Sequence, residues 1–197
     1  MRADAATLRL AVFPRVGLAA DAVLVLAGTG LVAAAAQVSI PFEPVPVTGQ
    51  TFAVLLVGSS LGAIRGAASL ALYLWLGVAG APIYAEGHHG WNILTGSSGG
   101  YIIGFVLAAV VTGYLAERGW DRRFSSAVGA MLTGNVIIYA VGLPWLAVVL
   151  NTNLEKTLEF GLYKFVPGDL LKLYLAAALL PTAWRVVERV AGRRRRR

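Results

Sequence analysis

Phe165-Val166-Pro167-Gly168-Asp169-Leu170-Leu171-Lys172 sets two charges at the head of an apolar run that continues to Ala183. Pro167 and Gly168 end a loop. Asp169 and Lys172, three residues apart, then share one face of the ensuing helix. Ionisable groups in such a span are costly, roughly 2.5–3.5 kcal/mol each at the bilayer centre. Two readings are open at this point. The pair is an i,i+3 ion pair that snorkels to water near a helix end, or it offers one acceptor and one cation to a small polar ligand.

Outward from this stretch the chain stays apolar. Of its 197 residues, 57% are hydrophobic and 14% charged, and the mean hydropathy is +0.70. A soluble domain of this length carries closer to a quarter charged residues. The chain is therefore expected to be an all-α integral membrane protein, with room for about six helices of ~20 residues and little left for a soluble domain. No cysteine is present, which excludes a disulfide framework, thiolate chemistry and a cysteine metal cage.

The expected spans are 18–40, 50–64, 66–82, 99–116, 124–150 and 168–190, in one membrane domain over 1–197. The first comes after a basic amphipathic segment, and Ala33 to Ala36 imitate a signal-peptidase site. The apolar stretch is too long for a signal peptide, and the chain downstream of it is membrane-like too. Gly28, Gly30 and the four alanines instead make a face on which another backbone can lie closely, inside the bundle or on a partner.

Pro41 to Pro46 holds three prolines and is read as a stiff extended loop. Thr48 and Gln50 open the next span, as caps for unpaired helix amides or as cavity groups. Two short runs come next, with Gly58, Gly62 and Gly66 near their turn and Arg65 between them. Short, glycine-interrupted segments often lie beside transporter substrate sites. The 82–100 gap carries Tyr84, Glu86, His88, His89, Trp91 and Asn92. Adjacent histidines have poor spacing for metal ligation and lack a third ligand, so no metal is expected. Gly96 to Gly100 allows close approach of backbone, and it is not a phosphate loop because no Lys-Ser/Thr comes after it. In the fifth span Asn135 and Tyr139 share a face, and the buried asparagine needs a partner, either another helix or a ligand. Pro144 and Pro181 are expected to kink their helices.

With six spans and a cytoplasmic N-terminus, 14 of the 17 basic residues fall on the inner side, and Lys156, Lys164 and Lys172 do not. This positive-inside bias puts both termini in the cytoplasm. The net charge of +7 then meets anionic lipid head groups through Arg193–Arg197, and no nucleic acid is expected. Asp169 and Lys172 come out near the external face.

Four stretches together resemble a known family. They are Pro44-Val45-Pro46-Val47-Thr48-Gly49-Gln50-Thr51-Phe52, Gly96-Ser97-Ser98-Gly99-Gly100-Tyr101-Ile102-Ile103-Gly104-Phe105, Gly134-Asn135-Val136-Ile137-Ile138-Tyr139 with Gly142 to Trp145, and Val166 to Lys172. The chain resembles the BioY family, the biotin-specific substrate-binding (S) components of energy-coupling factor (ECF) transporters, from about Ala27 to Ala183. Ser97 stands where the family commonly has proline in Gly-Pro-Thr/Ser-Gly-Gly.

The resemblance implies an S-component bundle of six helices in the bacterial inner (cytoplasmic) membrane. It implies high-affinity biotin binding at the external side, no cofactor, and no enzymatic activity. It also implies partners: a transmembrane coupling protein and two ATP-binding cassette ATPases. The chain has no Walker A lysine motif, so ATP hydrolysis falls to those partners. Small residues on the first helix contact the coupling protein in the family, which here points to Thr29, Gly30, Ala33 and Ala34. The alternatives are an S component for another vitamin and a solitary biotin carrier without ATPase subunits.

Biotin offers two ureido N–H donors, a ureido carbonyl, an apolar thioether ring and a carboxylate. Asp169 suits the ureido nitrogens and Lys172 the carboxylate, or the two exchange roles. Asn135 or Gln50 suits the ureido carbonyl. Tyr101, Tyr139 and Trp145 suit the apolar walls, with Thr48 and Asn92 as further polar candidates.

Overall fold

In the computed structural model the apolar runs form helices that pack around one central member. The structure describes residues 7–12 and 17–195, with side chains to residue 190. Arg2, Arg15 and the side chains of Arg193–Arg197 lie outside them. In chain order the elements are α1 (Leu8–Val12), α2 (Leu18–Gln37), β1 (Ser39–Ile40), β2 (Val47–Thr48), α3 (Gln50–Leu61), α4 (Ala63–Val78), α5 (Trp91–Thr95), α6 (Gly99–Glu117), α7 (Phe124–Leu150), α8 (Leu154–Leu158) and α9 (Val166–Arg195). A 3-10 turn lies at Ala85–Gly87 and a π turn at Glu159–Tyr163.

Four helices are long and apolar enough to cross a membrane: α2, α6, α7 and α9. The other two apolar helices, α3 and α4, are shorter. They meet at Gly62, whose φ of 87° suits glycine alone, and Glu117 of α6 accepts from the Ala63 N–H just after it. The turn therefore falls before Arg65, and α4 starts at Ala63. Arg65 is freed to reach back to Asp21 on α2, with Nε–Oδ1 of 2.9 Å and Nη2–Oδ2 of 2.7 Å, while Arg9 of α1 holds the same carboxylate at 2.6 Å. The charge that interrupts the first apolar run is thus neutralised by two arginines.

α6 is the most buried of the four long helices and packs against α3, α4 and α7. Its alanines and glycines explain the position. A Cβ on Gly58 of α3 would meet the Ala109 carbonyl at 2.8 Å, so the α3 backbone lies directly on α6. Pro144 and Pro181 sit inside α7 and α9, which run on through them. One apolar cluster joins α2, α3, α4 and α6 with the loops beneath the candidate site. A second joins α1, α3, the first half of α7 and α9.

β1 and β2 pair antiparallel, Ser39 opposite Thr48 and Ile40 opposite Val47, and the proline-rich segment 41–46 is the tip of this small hairpin. The segment after α7 holds a short helix, α8, whose N-cap Asn153 accepts from the Lys156 N–H at 3.0 Å.

Candidate functional site

α9 starts one turn before its charged pair. Asp169 N donates to Phe165 O at 2.8 Å, which fixes Asp169 and Lys172 on the first two turns. Asp169 turns toward α3 and α7, and Lys172 toward β2. Asp169, 4% exposed, accepts from Thr51 Oγ1 (3.1 Å), Lys172 Nζ (2.9 Å) and Tyr139 Oη (2.5 Å). Lys172 Nζ also donates to the Thr48 carbonyl at 2.6 Å. An ammonium has three N–H donors and a carboxylate about four lone-pair sites. Each partner therefore keeps roughly one position beyond these bonds.

Behind Thr48 a polar chain runs inward. Thr48 Oγ1 donates to Gln50 Oε1 (2.7 Å), and Gln50 Nε2 donates to Tyr73 Oη (2.7 Å). Thr48 Oγ1 also accepts from the Gln50 N–H at 3.2 Å. Of the two readings open in the sequence, Thr48 thus meets both, accepting from the first amide of α3 and facing the cavity, and Gln50 meets only the second.

The cavity measures about 350 Å³, within the size range of small-molecule sites. Thr48, Gln50, Tyr101, Tyr139, Asp169 and Lys172 line it. Apolar walls come from Val45, Ile93, Ile102, Phe105, Ile138 and Phe165, and the hairpin tip from Pro41 to Pro46 covers one side. Tyr101 stands edge-on to Tyr139 and stacks on Phe165, and its hydroxyl donates to Gly161 O at 2.9 Å. Tyr84 closes the side beyond α4. Its ring occupies the space a Cβ on Gly77 would need, and its hydroxyl donates to Leu74 O at 2.6 Å. Burial pushes that hydroxyl up to about 12, so it stays a donor at neutral pH.

Three candidates stand apart from this lining. Asn135 is buried on α7, one turn from Tyr139, and its Oδ1 has no hydrogen-bond partner among the described residues. Trp145 works from behind, donating to Gly96 O at 2.9 Å and so holding the glycine-serine loop onto α7. Asn92 is exposed on α5, where its neighbour Ile93 faces the cavity instead.

Of the first-helix candidates, Gly30 and Ala34 are exposed and Ala33 is half-buried. Thr29 is buried and donates to Ser69 O of α4 at 2.9 Å, so it serves helix packing within the bundle. His88 and His89 are both exposed, and no group of metal-ligating side chains occurs among the described residues.

The lining also includes residues not named as ligand contacts from the sequence: Thr51, Phe105, Ile138 and Ser98. Thr51 and Ser98 are direct neighbours of singled-out positions. Phe105 is one helical turn from Tyr101, and that spacing was the available signal.

The BioY family model matches residues 5–189. A biotin transporter BioY of Rhizobium etli is 36% identical over 149 residues, covering 72% of this chain and 79% of the relative. Another, from Thermotoga maritima, is 38% identical over 151 residues, covering 77% and 88%. A crystal structure of the S-component for biotin from an ECF-type ABC transporter superposes with a TM-score of 0.73 at 24% identity, covering 85% of this chain and 92% of that one.

Proposed function

The chain belongs to the BioY family, and from that premise we propose that it binds biotin from the external side as the substrate-binding component of an ECF-type vitamin uptake transporter. This is a transport family and not an enzyme family. The observation that carries the reading is the Asp169–Lys172 pair at the edge of an apolar-walled cavity.

The pair is one unit, with Nζ and Oδ1 2.9 Å apart. A ureido group matches such a unit, because its N–H donors and its carbonyl acceptor are adjacent. Asp169 accepts from a ureido nitrogen and Lys172 donates to the carbonyl. The biotin carboxylate lies away from the pair, since next to Lys172 it would also face Asp169. The aromatic and branched walls take the thioether ring.

We read α3 and α4 as crossing segments alongside the four long helices, giving six spans with both termini in the cytoplasm of the bacterial inner membrane. The distribution of arginines supports this sidedness. A transmembrane coupling protein and two ATP-binding cassette ATPases supply the energy. The exposed small residues Gly30 and Ala34, with Ala33 beside them, are the face for the coupling protein.

The test uses purified, folded Asp169→Asn and Lys172→Met protein, titrated with biotin and with biotinamide. Removing one partner of a desolvated charged hydrogen bond costs on the order of 2–5 kcal/mol, or roughly thirty-fold and more in dissociation constant. Both variants should weaken both ligands while leaving the preference between acid and amide unchanged. Loss of that preference in Lys172→Met alone would move the lysine to the carboxylate. Wild-type affinity in both variants would sink the site.

A further inference from the structure

We propose that Ser97 is a positioning residue that clasps the 41–46 hairpin tip over the cavity and sets how fast the ligand leaves. The proposal rests on the biotin reading of that cavity and adds a control on residence time.

Ser97 Oγ donates to the Pro44 carbonyl at 2.6 Å, across 53 positions of sequence. The two residues belong to different loops, and both line the cavity. The hairpin tip has few other ways to hold itself down. Pro41, Pro44 and Pro46 lack a backbone N–H. Among the described residues, no backbone hydrogen bond joins 41–46 to a neighbouring loop or helix. The tip is otherwise held by the two-residue ladder at its stem, by the buried Val45 side chain and by a long cation–π contact of Phe42 with Lys164, 6.0 Å from the ring centroid.

The loop that carries Ser97 is anchored by contrast. Trp145 Nε1 fixes the Gly96 carbonyl to α7, and Gly99 N returns to Gly96 O at 3.2 Å, leading straight into α6. The clasp therefore joins a rigid loop to a tip with few bonds of its own.

A ligand behind the tip leaves when the tip lifts, and lifting it breaks the bond from Ser97. Ser97 thus lengthens residence while its hydroxyl is spent on the protein itself. Loss of one neutral side chain to backbone bond corresponds to about a three- to ten-fold faster dissociation.

The chain has no cysteine, so Glu43→Cys on the tip and Thr95→Cys beside the anchored loop can carry a single pair of spin labels. Distances between them are measured on purified protein without ligand. The serine form should give a narrow distribution. Ser97→Ala should broaden it toward longer distances, and Ser97→Thr, which keeps the hydroxyl, should restore it. In unlabelled protein, chase of radiolabelled biotin should run about three- to ten-fold faster from Ser97→Ala and near the wild-type rate from Ser97→Thr. An unchanged distance distribution in Ser97→Ala overturns the clasp, whatever the ligand. So does an unchanged dissociation rate, and a lowered melting temperature with both readouts unchanged marks a packing role and overturns it too. A broadened distribution in a chain that binds no biotin leaves the clasp standing and removes the biotin reading.

Discussion

The Tyr139 hydroxyl of α7 donates to Asp169 Oδ2 of α9 at 2.5 Å, joining two helices in the lining of the candidate site. The carboxylate is aimed by this bond and by the bond from Thr51 on α3. Tyr139→Phe keeps the ring and its edge-on contact with Tyr101 but removes the donor. A hydrogen bond to a charged group contributes about 1.5–3 kcal/mol. That bond is made with or without ligand, so only its aiming of the carboxylate reaches the affinity, and biotin affinity should fall several-fold in a protein that remains folded. Calorimetric titration of the variant measures this, and an unchanged dissociation constant would show that the tyrosine does not aim the carboxylate.

Sidedness is checked by single cysteines introduced into this cysteine-free chain. Glu43 on the hairpin tip and Glu155 on α8 are exposed, and cysteines there should react with an impermeant maleimide added to intact cells. Arg123, exposed before α7, should react only after permeabilisation. External labelling at position 123 would invert or break the six-span topology.

The first helix separates two kinds of small residue. A Cβ on Gly30 meets nothing within 4 Å, and Ala34 is exposed, whereas Thr29 is buried against α4. Gly30→Leu and Ala34→Leu should lower biotin uptake in cells several-fold and leave binding to the purified protein intact. Thr29→Leu should reduce the yield of folded protein. Equal losses of binding and uptake at Gly30 and Ala34 would rule out a partner face.

Asp121, in the loop between α6 and α7, is fully buried. Trp184 Nε1 donates to its Oδ2 at 2.6 Å, and its Oδ1 has no partner among the described residues. Burial raises this carboxyl from 3.8 to about 6, against the opposing pull of the Trp184 bond and the Arg122 charge. The folded state therefore holds the proton more tightly than the unfolded chain. The stability gained is fully present below the ordinary carboxyl value and is lost as pH rises through about 6, on the order of 3 kcal/mol. Melting temperature in detergent should fall over that window in the wild type, and Asp121→Asn should flatten the fall. Parallel curves for the two proteins would refute the assignment.

Much of this was legible in the sequence for a simple physical reason. Bilayer insertion is a property of composition and length, so the apolar runs announced α2, α6, α7 and α9 directly. Short-range geometry was legible too. Three residues along a helix bring Asp169 and Lys172 to one face, and three prolines leave 41–46 no course but a loop. The turn between α3 and α4 was blurred because Gly58, Gly62 and Gly66 all could serve it, and only the positive φ at Gly62 selects one. Tertiary structure alone decided which polar residues meet. Thr48 and Lys172 are 124 positions apart and Thr51 and Asp169 are 118, distances over which a linear pattern carries no register. For the same reason Trp145 and Asn92, both plausible pocket residues by type, separate into a brace behind the loop and an exposed position on α5. A residue's type states what it can bond, and the packing of α3, α7 and α9 around the cavity determines what it reaches.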